Sequence, residues 1–183
     1  MNFHIRSTRP EDTPNLPAIE QSAGQLFRTI PELAWIADDD NLPAQRHLEL
    51  LAGGACWVAE TGENMLAAFL SAEVTEDALH IWELSVLREH HRKGIGRALI
   101  AQAIMFASEQ DISCVTLTTF RGVPWNEPMY KRFGFRTLSP GECDQRLAAI
   151  LDREIVAGLP AERRCAMRLS AFGQMGRVRI RTE

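Results

Sequence analysis

The sequence predicts a mixed α/β fold, with helices packed around one sheet, on three observations. Short β-favouring runs recur along the chain, separated by stretches whose apolar residues fall at helical spacing. The order they give is strand, helices, strand hairpin, strand, helix, strand, helix, strand, helix, strand. A basic, glycine-punctuated turn, Leu87-Arg-Glu-His-His-Arg-Lys-Gly-Ile-Gly96, joins one of these strands to the helix that follows. With 183 residues the chain can bury a sizeable core. One domain over residues 3–169 is expected, followed by a flexible tail over 170–183 that has no clear packing pattern.

Taken in order, Phe3-His-Ile-Arg-Ser7 reads as a short strand, and Arg9-Pro-Glu-Asp12 as a turn and helix start. Residues 13–30 suggest an imperfect helix, and Pro31 to Pro43 a loop. Ala44–Ala52 is a short helix stopped by Gly53-Gly54. Cys56–Glu60 and Met65–Val74 form a hairpin around Thr61-Gly-Glu-Asn64, and a long strand, Ala78–Val86, enters the glycine turn. Beyond it, Ile95, Leu99, Ala103 and Phe106 mark one face of a helix. The β-branched run Ser113–Phe120 is a strand, Glu127–Arg132 a short helix, and Phe135–Leu138 a further strand. Leu147, Ile150, Leu151 and Ile155 mark an amphipathic helix ending at Gly158, and Arg164–Leu169 closes as a strand.

Composition excludes several classes. The formal net charge of −4 argues against general nucleic-acid binding. No run approaches the ~20 apolar residues of a membrane helix, and no apolar stretch precedes Asn15, so neither a membrane partner nor a secretory leader is expected. Cys56, Cys114, Cys143 and Cys165 are far apart and lack Cys-x-x-Cys spacing, which suggests neither a zinc site nor a disulfide framework. A reduced, cytoplasmic protein without a metal is the simplest expectation. Glu32 and Asp38–Asp40 cluster in the N-terminal third, either as a solvated loop or as an attraction for a cationic substrate.

The glycine turn carries the most chemistry. The first turn of a helix offers unpaired N–H groups and partial positive charge, so it attracts phosphate. Gly94 and Gly96 permit close approach to that backbone, and Arg92, Lys93 and Arg97 add mobile positive charge. A Rossmann fingerprint would need a third glycine where Leu99 stands, and a Walker loop needs Gly-Lys-Ser/Thr, which is absent. A second segment about thirty residues on, Trp125–Phe135, decides between these readings.

That element order, with Leu84-Ser-Val86, His91-Arg-Lys-Gly-Ile-Gly96 and Tyr130-Lys-Arg-Phe-Gly-Phe135, resembles the GNAT family of N-acetyltransferases over residues 3 to about 169. The resemblance implies a mostly antiparallel sheet of about seven strands, helices on both faces, and a splayed parallel strand pair that receives acetyl-CoA. Acetyl would pass directly to an acceptor, usually an amine. Leu84, Ser85 and Val86 match the strand end whose backbone binds the pantetheine arm and polarises the thioester carbonyl. His91, Arg92, Lys93, Gly94, Ile95, Gly96 and Arg97 match the pyrophosphate loop, and Tyr130 matches the general acid that protonates departing thiolate. Two departures stand out. His91 replaces the family's usual Gln or Arg, and Val123 stands where a helper asparagine is common. Asn126 either caps the short helix or reaches the cofactor arm. Trp125 sits on a loop that could line the acceptor pocket.

An amine with a pKa near ~10.4 is almost wholly protonated at pH 7, a deficit of about 4–5 kcal/mol that calls for a base or a pocket that lowers the amine pKa. Two candidates precede Val86 on its strand, Glu83 slightly ahead of His80. Strand alternation places Glu83 with Ser85 on one face and His80 with Trp82 and Leu84 on the other. Three functions stay open: a small-molecule amine acetyltransferase, a protein lysine or N-terminal acetyltransferase, and a noncatalytic acyl-CoA-binding module. A homodimer paired through the C-terminal strand and tail is one assembly option.

Overall fold

The computed structural model describes residues 2–62 and 65–170. Its strands are β1 (Phe3–Ser7), β2 (Cys56–Thr61), β3 (Leu66–Val74), β4 (Ala78–Val86), β5 (Cys114–Phe120), β6 (Arg136–Thr137) and β7 (Arg164–Ser170). The α-helices are α1 (Leu16–Gly24), α2 (Ala44–Leu51), α3 (Ile95–Glu109), α4 (Glu127–Lys131) and α5 (Gln145–Val156). Hydrogen bonding orders the strands β1-β2-β3-β4-β5-β7-β6. The sheet is mostly antiparallel, with β4 and β5 as its parallel pair. Among the described residues, backbone contacts group those up to Val74 with Ile81–Phe106, and Thr75–His80 with those from Ala107 to Ser170.

In the first unit, β1 and β3 flank β2 antiparallel, in a register that sets Ile5 opposite Ala59 and Val58 opposite Phe69. Alternation turns Val58 and Phe69 to one face, where they form a buried cluster with Leu16 and Ile19 of α1. His47 of α2 meets the Phe69 ring edge-on at 5.0 Å. The neighbouring Trp57 points to the other face and meets Phe106 of α3 at 5.3 Å. Burying each of these apolar side chains contributes about 1.5–3 kcal/mol. The predicted hairpin is present, with Thr61 N–H donating to Met65 O at 2.9 Å. Glu63 and Asn64 of its turn lie outside the described residues.

Two sequence expectations need correction here. The helix expected over 13–30 is broken into a 3₁₀ turn at Pro10–Asn15, α1, and a second 3₁₀ turn at Gln25–Thr29. The loop expected from Pro31 holds a third 3₁₀ stretch, Pro31–Asp38. Prolines explain much of this: Pro10, Pro17 and Pro31 each occupy the first or second helical position, where a missing N–H is tolerated.

In the second unit, β7 pairs antiparallel with β5 along its whole length, setting Thr116 opposite Arg168 and Phe120 opposite Arg164. The two-residue β6 adds to the far edge of β7. Helix α5 is capped by Asp144, whose carboxylate accepts the Leu147 N–H at 2.8 Å. Its Glu154 binds Thr118 and Arg164 on the adjacent strands. The tail expected beyond Ser170 lies outside the described residues.

Candidate functional site: a strand end, a left-handed turn and a helix start

The chain leaves β4 through Leu87, whose N–H donates to Ala67 O of β3 at 2.8 Å. It then makes a short 3₁₀ turn at Arg88–His90 and passes through two left-handed residues before α3 begins at Ile95. Those residues are Arg92, at φ 61°, and Gly94, at φ 84°. Glycine accepts that conformation without penalty, whereas arginine does not, so the loop stores modest strain at Arg92. A Cβ at Gly94 would meet nothing within 4 Å, and one at Gly96 would meet only Val86 Cγ2 at 3.6 Å. The glycines therefore leave open backbone rather than fill a crowded core. Ala98 is the first helical donor, its N–H reaching Gly94 O at 3.1 Å. The N–H groups of Ile95, Gly96 and Arg97 precede it, at the positive end of the α3 dipole. Arg92, Lys93 and Arg97 are exposed around this turn. These features fit a diphosphate: open amides, a helix dipole and three cations in one stretch of chain.

His91 lies inside this loop and points back into it. Its Nε2–H donates to Val86 O at 2.8 Å, tying the loop to the strand end. The resemblance sets His91 in the pyrophosphate loop, and its side chain is engaged with the backbone of β4.

Glu83 and Ser85 share a face of β4 as alternation requires, and Ser85 Oγ donates to Glu83 Oε1 at 2.8 Å. Trp82 Nε1 donates to Glu73 Oε2 at 2.8 Å. Helix α1 runs beside this strand end. Ser22 Oγ accepts the Arg88 N–H at 3.2 Å, and Leu87 packs on the cluster holding Leu16 and Ile19. This brings a residue that sequence reasoning missed, Glu20, within electrostatic reach of Glu83. Burial and the Glu83 charge push the Glu20 carboxyl up to about 8, against a single stabilising N–H from Leu42. Only the tertiary packing of α1 reveals the pair; apolar Leu16 and Ile19 were the one sequence signal that Glu20 flanks a buried stripe.

In the second unit lies His80, the other candidate base on β4. It is fully buried, and its Nδ1 lies 3.0 Å from Thr116 Oγ1. Arg146 Nη2 donates to the same hydroxyl at 3.1 Å. Burial first, and then the Arg146 charge, hold the imidazole down to about 3, so it is neutral at physiological pH.

Tyr130, on α4, is almost entirely buried and stands edge-on to Phe135 with centroids 5.7 Å apart. The chain reverses after α4 at Gly134, at φ 90°, where a Cβ would come within 3.3 Å of Leu169 Cδ1. Asn126 occupies the N-cap position of α4, but its side chain makes no capping bond. Its carbonyl instead accepts the N–H groups of Met129 and Tyr130, at 2.9 and 3.1 Å. Glu127 secures the helix, accepting from Thr137 Oγ1 at 2.6 Å and pairing with Lys131 at 2.8 Å.

The profile described as the Acetyltransferase (GNAT) family matches residues 20–135. The chain belongs to the GNAT family. Among curated proteins it is similar to N-acetyltransferase family 8 member 3 of Rattus norvegicus, 34% identical over 85 residues. That match covers 44% of this chain and 37% of the relative. Human N-acetyltransferase 8B is 33% identical over 89 residues, 45% of this chain and 39% of its own. This GNAT chain therefore spans about two-fifths of the length of these relatives. Among solved structures its fold is similar to the PaiA N-acetyltransferase of Thermoplasma acidophilum in complex with coenzyme A. The TM-score is 0.66 at 15% identity, covering 93% of this chain and 100% of that one. The ribosomal-protein-S18-alanine N-acetyltransferase of Escherichia coli gives 0.65 at 17% identity, covering 95% and 98%. Among the described residues of this GNAT protein, no helix is long and apolar enough to cross a membrane.

Proposed function

We propose that this GNAT protein transfers acetyl from acetyl-CoA directly to an amine of a small molecule. The single observation that carries the reading is the unbroken path from the end of β4, through the left-handed turn at Arg92 and Gly94, into the start of α3. Family membership, and the N-acetyltransferase names of the sequence relatives, support the donor and the nitrogen acceptor.

Each residue then has a task. Backbone groups of Leu84, Ser85 and Val86 hold the pantetheine arm and polarise the thioester carbonyl. Amides of Gly94, Ile95, Gly96 and Arg97 hold the diphosphate, with Arg92, Lys93 and Arg97 screening its charge. His91 fixes the Val86 carbonyl. Asn126, released from capping, reaches the cofactor arm. Glu83 removes the ammonium proton, through water, and Tyr130 gives a proton to the departing sulfur. The balance is one C–N bond formed, one C–S bond broken, and one proton released overall. Glu83 takes the base role ahead of His80, whose full burial and pKa of about 3 make it a weak proton acceptor.

Thiol release from acetyl-CoA, measured with small amines and with peptides, tests the reading. Release with small amines is expected. Release with peptides alone would make the protein a protein acetyltransferase, and binding without release a noncatalytic module.

A further inference from the structure

In the second unit, the polar cluster on the α5 face of β5 and β7 has no task in the reaction above. Arg146, in the first turn of α5, donates from Nη2 to Thr116 Oγ1 of β5 at 3.1 Å, and His80 Nδ1 lies 3.0 Å from the same oxygen. Arg168 is the β7 residue directly opposite Thr116 in the antiparallel register, so both side chains rise from one face, about 5 Å apart at Cβ. Arg168 Nη2 donates to Asp144 Oδ2 at 3.2 Å, and Asp144 is the N-cap of the helix that carries Arg146 two residues later. Thr116 and Asp144 therefore bring the two guanidinium groups together. One donor on each is left over. Arg146 Nη1 and Arg168 Nε are both buried, and neither finds an acceptor among the described residues.

We propose that Arg146 and Arg168 form a binding site for one carboxylate group, the Arg146 Nη1 and Arg168 Nε hydrogens each donating to one of its oxygens. The site does not depend on the acetyl-transfer reading.

The local groups select this chemistry. A buried charged donor without an acceptor is costly, and here there are two side by side. The neighbouring acceptors are engaged elsewhere. Asp144 takes the Leu147 N–H at Oδ1 and Arg168 at Oδ2, and Thr116 Oγ1 faces both Arg146 and His80. Two guanidinium groups and the Asp144 carboxylate leave one net positive charge, since burial keeps His80 neutral at physiological pH. Asp77, at the turn before β4, is exposed, so water screens its charge. A planar monoanion with two oxygens matches two N–H donors and a single positive charge. A phosphate dianion brings more charge and more oxygens than the cluster answers.

NMR of arginine side-chain N–H groups in the full chain, titrated with sodium propanoate at constant ionic strength, tests the site without any acetyl donor. The Arg168 Nε–H signal, assigned by its loss in Arg168→Lys, is expected to shift and saturate with Kd of about 1–10 mM. Arg146→Lys and Arg168→Lys should each weaken propanoate at least about tenfold, because lysine keeps the charge but not the planar fork. Arg168→Lys leaves a cation for the partly exposed Asp144, so the fold is kept. No saturation by about 100 mM propanoate, or affinity unchanged in both variants, overturns the site. Chloride or phosphate that binds as tightly as propanoate overturns the carboxylate assignment. With acetyl-CoA present, primary alkylamines and ω-amino carboxylates of equal chain length distinguish two sources of the carboxylate. A kcat/KM at least about tenfold higher for the amino carboxylate, lost in Arg168→Lys, supports the site and places the group on the acceptor. Equal values with propanoate still bound support the site and make its occupant a separate small carboxylate. Wild type that acetylates neither removes the acetyl-transfer reading, while the propanoate titration still decides the site.

Discussion

His91 Nε2 lies 2.8 Å from the Val86 carbonyl oxygen, joining the middle of the glycine loop to the last residue of β4. One imidazole thereby sets the distance between the backbone proposed to hold the pantetheine arm and the amides proposed to hold the diphosphate. His91→Ala deletes one hydrogen bond, and coenzyme A affinity should fall about three- to tenfold, the net value of such a bond. Calorimetric titration checks this, and affinity equal to wild type would show that the tie is incidental.

Gly96→Ala separates fold from function. The added Cβ meets Val86 Cγ2 at an ordinary 3.6 Å, and the residue sits in the first turn of α3. Stability should hold or rise by up to about 1 kcal/mol, as alanine favours a helix over glycine. Coenzyme A binding should nonetheless weaken, because the methyl occupies the approach to the loop amides. A thermal melt and a binding titration on one sample give both answers.

Tyr130→Phe keeps the edge-on contact with Phe135 and loses only the hydroxyl. Turnover should drop about 10²–10⁴-fold while coenzyme A affinity stays within twofold, the pattern of a lost general acid. Full turnover across the pH range would move that role elsewhere.

Stability should peak near pH 6.5. His47 and His80 are held down to about 4 and about 3, chiefly by burial, from an ordinary 6.5. Below pH 6.5 the unfolded chain binds two protons that the native state refuses, so their contribution to stability is lost as pH falls. Glu20 runs the other way: raised from 4.5 to about 8, it keeps a proton on folding, and stability falls as pH rises through that range. Between pH 4.5 and 6.5 the net is two protons minus one, a slope of about 1.4 kcal/mol per pH unit in wild type and about twice that in Glu20→Gln. Urea midpoints across this range check both slopes, and equal slopes for the two proteins would contradict the Glu20 assignment.

Much of the architecture was legible in the sequence, for identifiable reasons. Short β-favouring runs flanking a hairpin turn gave β2 and β3, a β-branched run gave β5, and Ala78–Val86 is β4 to the residue. The glycines of the loop and the 3.6-residue repeat from Ile95 gave α3 and its start. Local pattern could not reveal what depends on tertiary packing. The 3₁₀ stretch at Pro31–Asp38 is fastened by Gln21 of α1 and by Gln25 just after it, which both donate to Ala37 O. The burial of His80 depends on Thr116 and Arg146, which lie 36 and 66 residues away in sequence. The left-handed Arg92 has no compositional signal at all, since glycine is the residue that usually marks such a turn.

The most direct test compares two ligands by calorimetry, coenzyme A and pantetheine, which shares the arm but lacks the nucleotide and its diphosphate. If the loop from Arg92 to Arg97 grips a diphosphate, coenzyme A should bind at least about a hundredfold more tightly, with one site per chain. Equal affinity for the two, or no binding of coenzyme A by folded protein, would contradict the account.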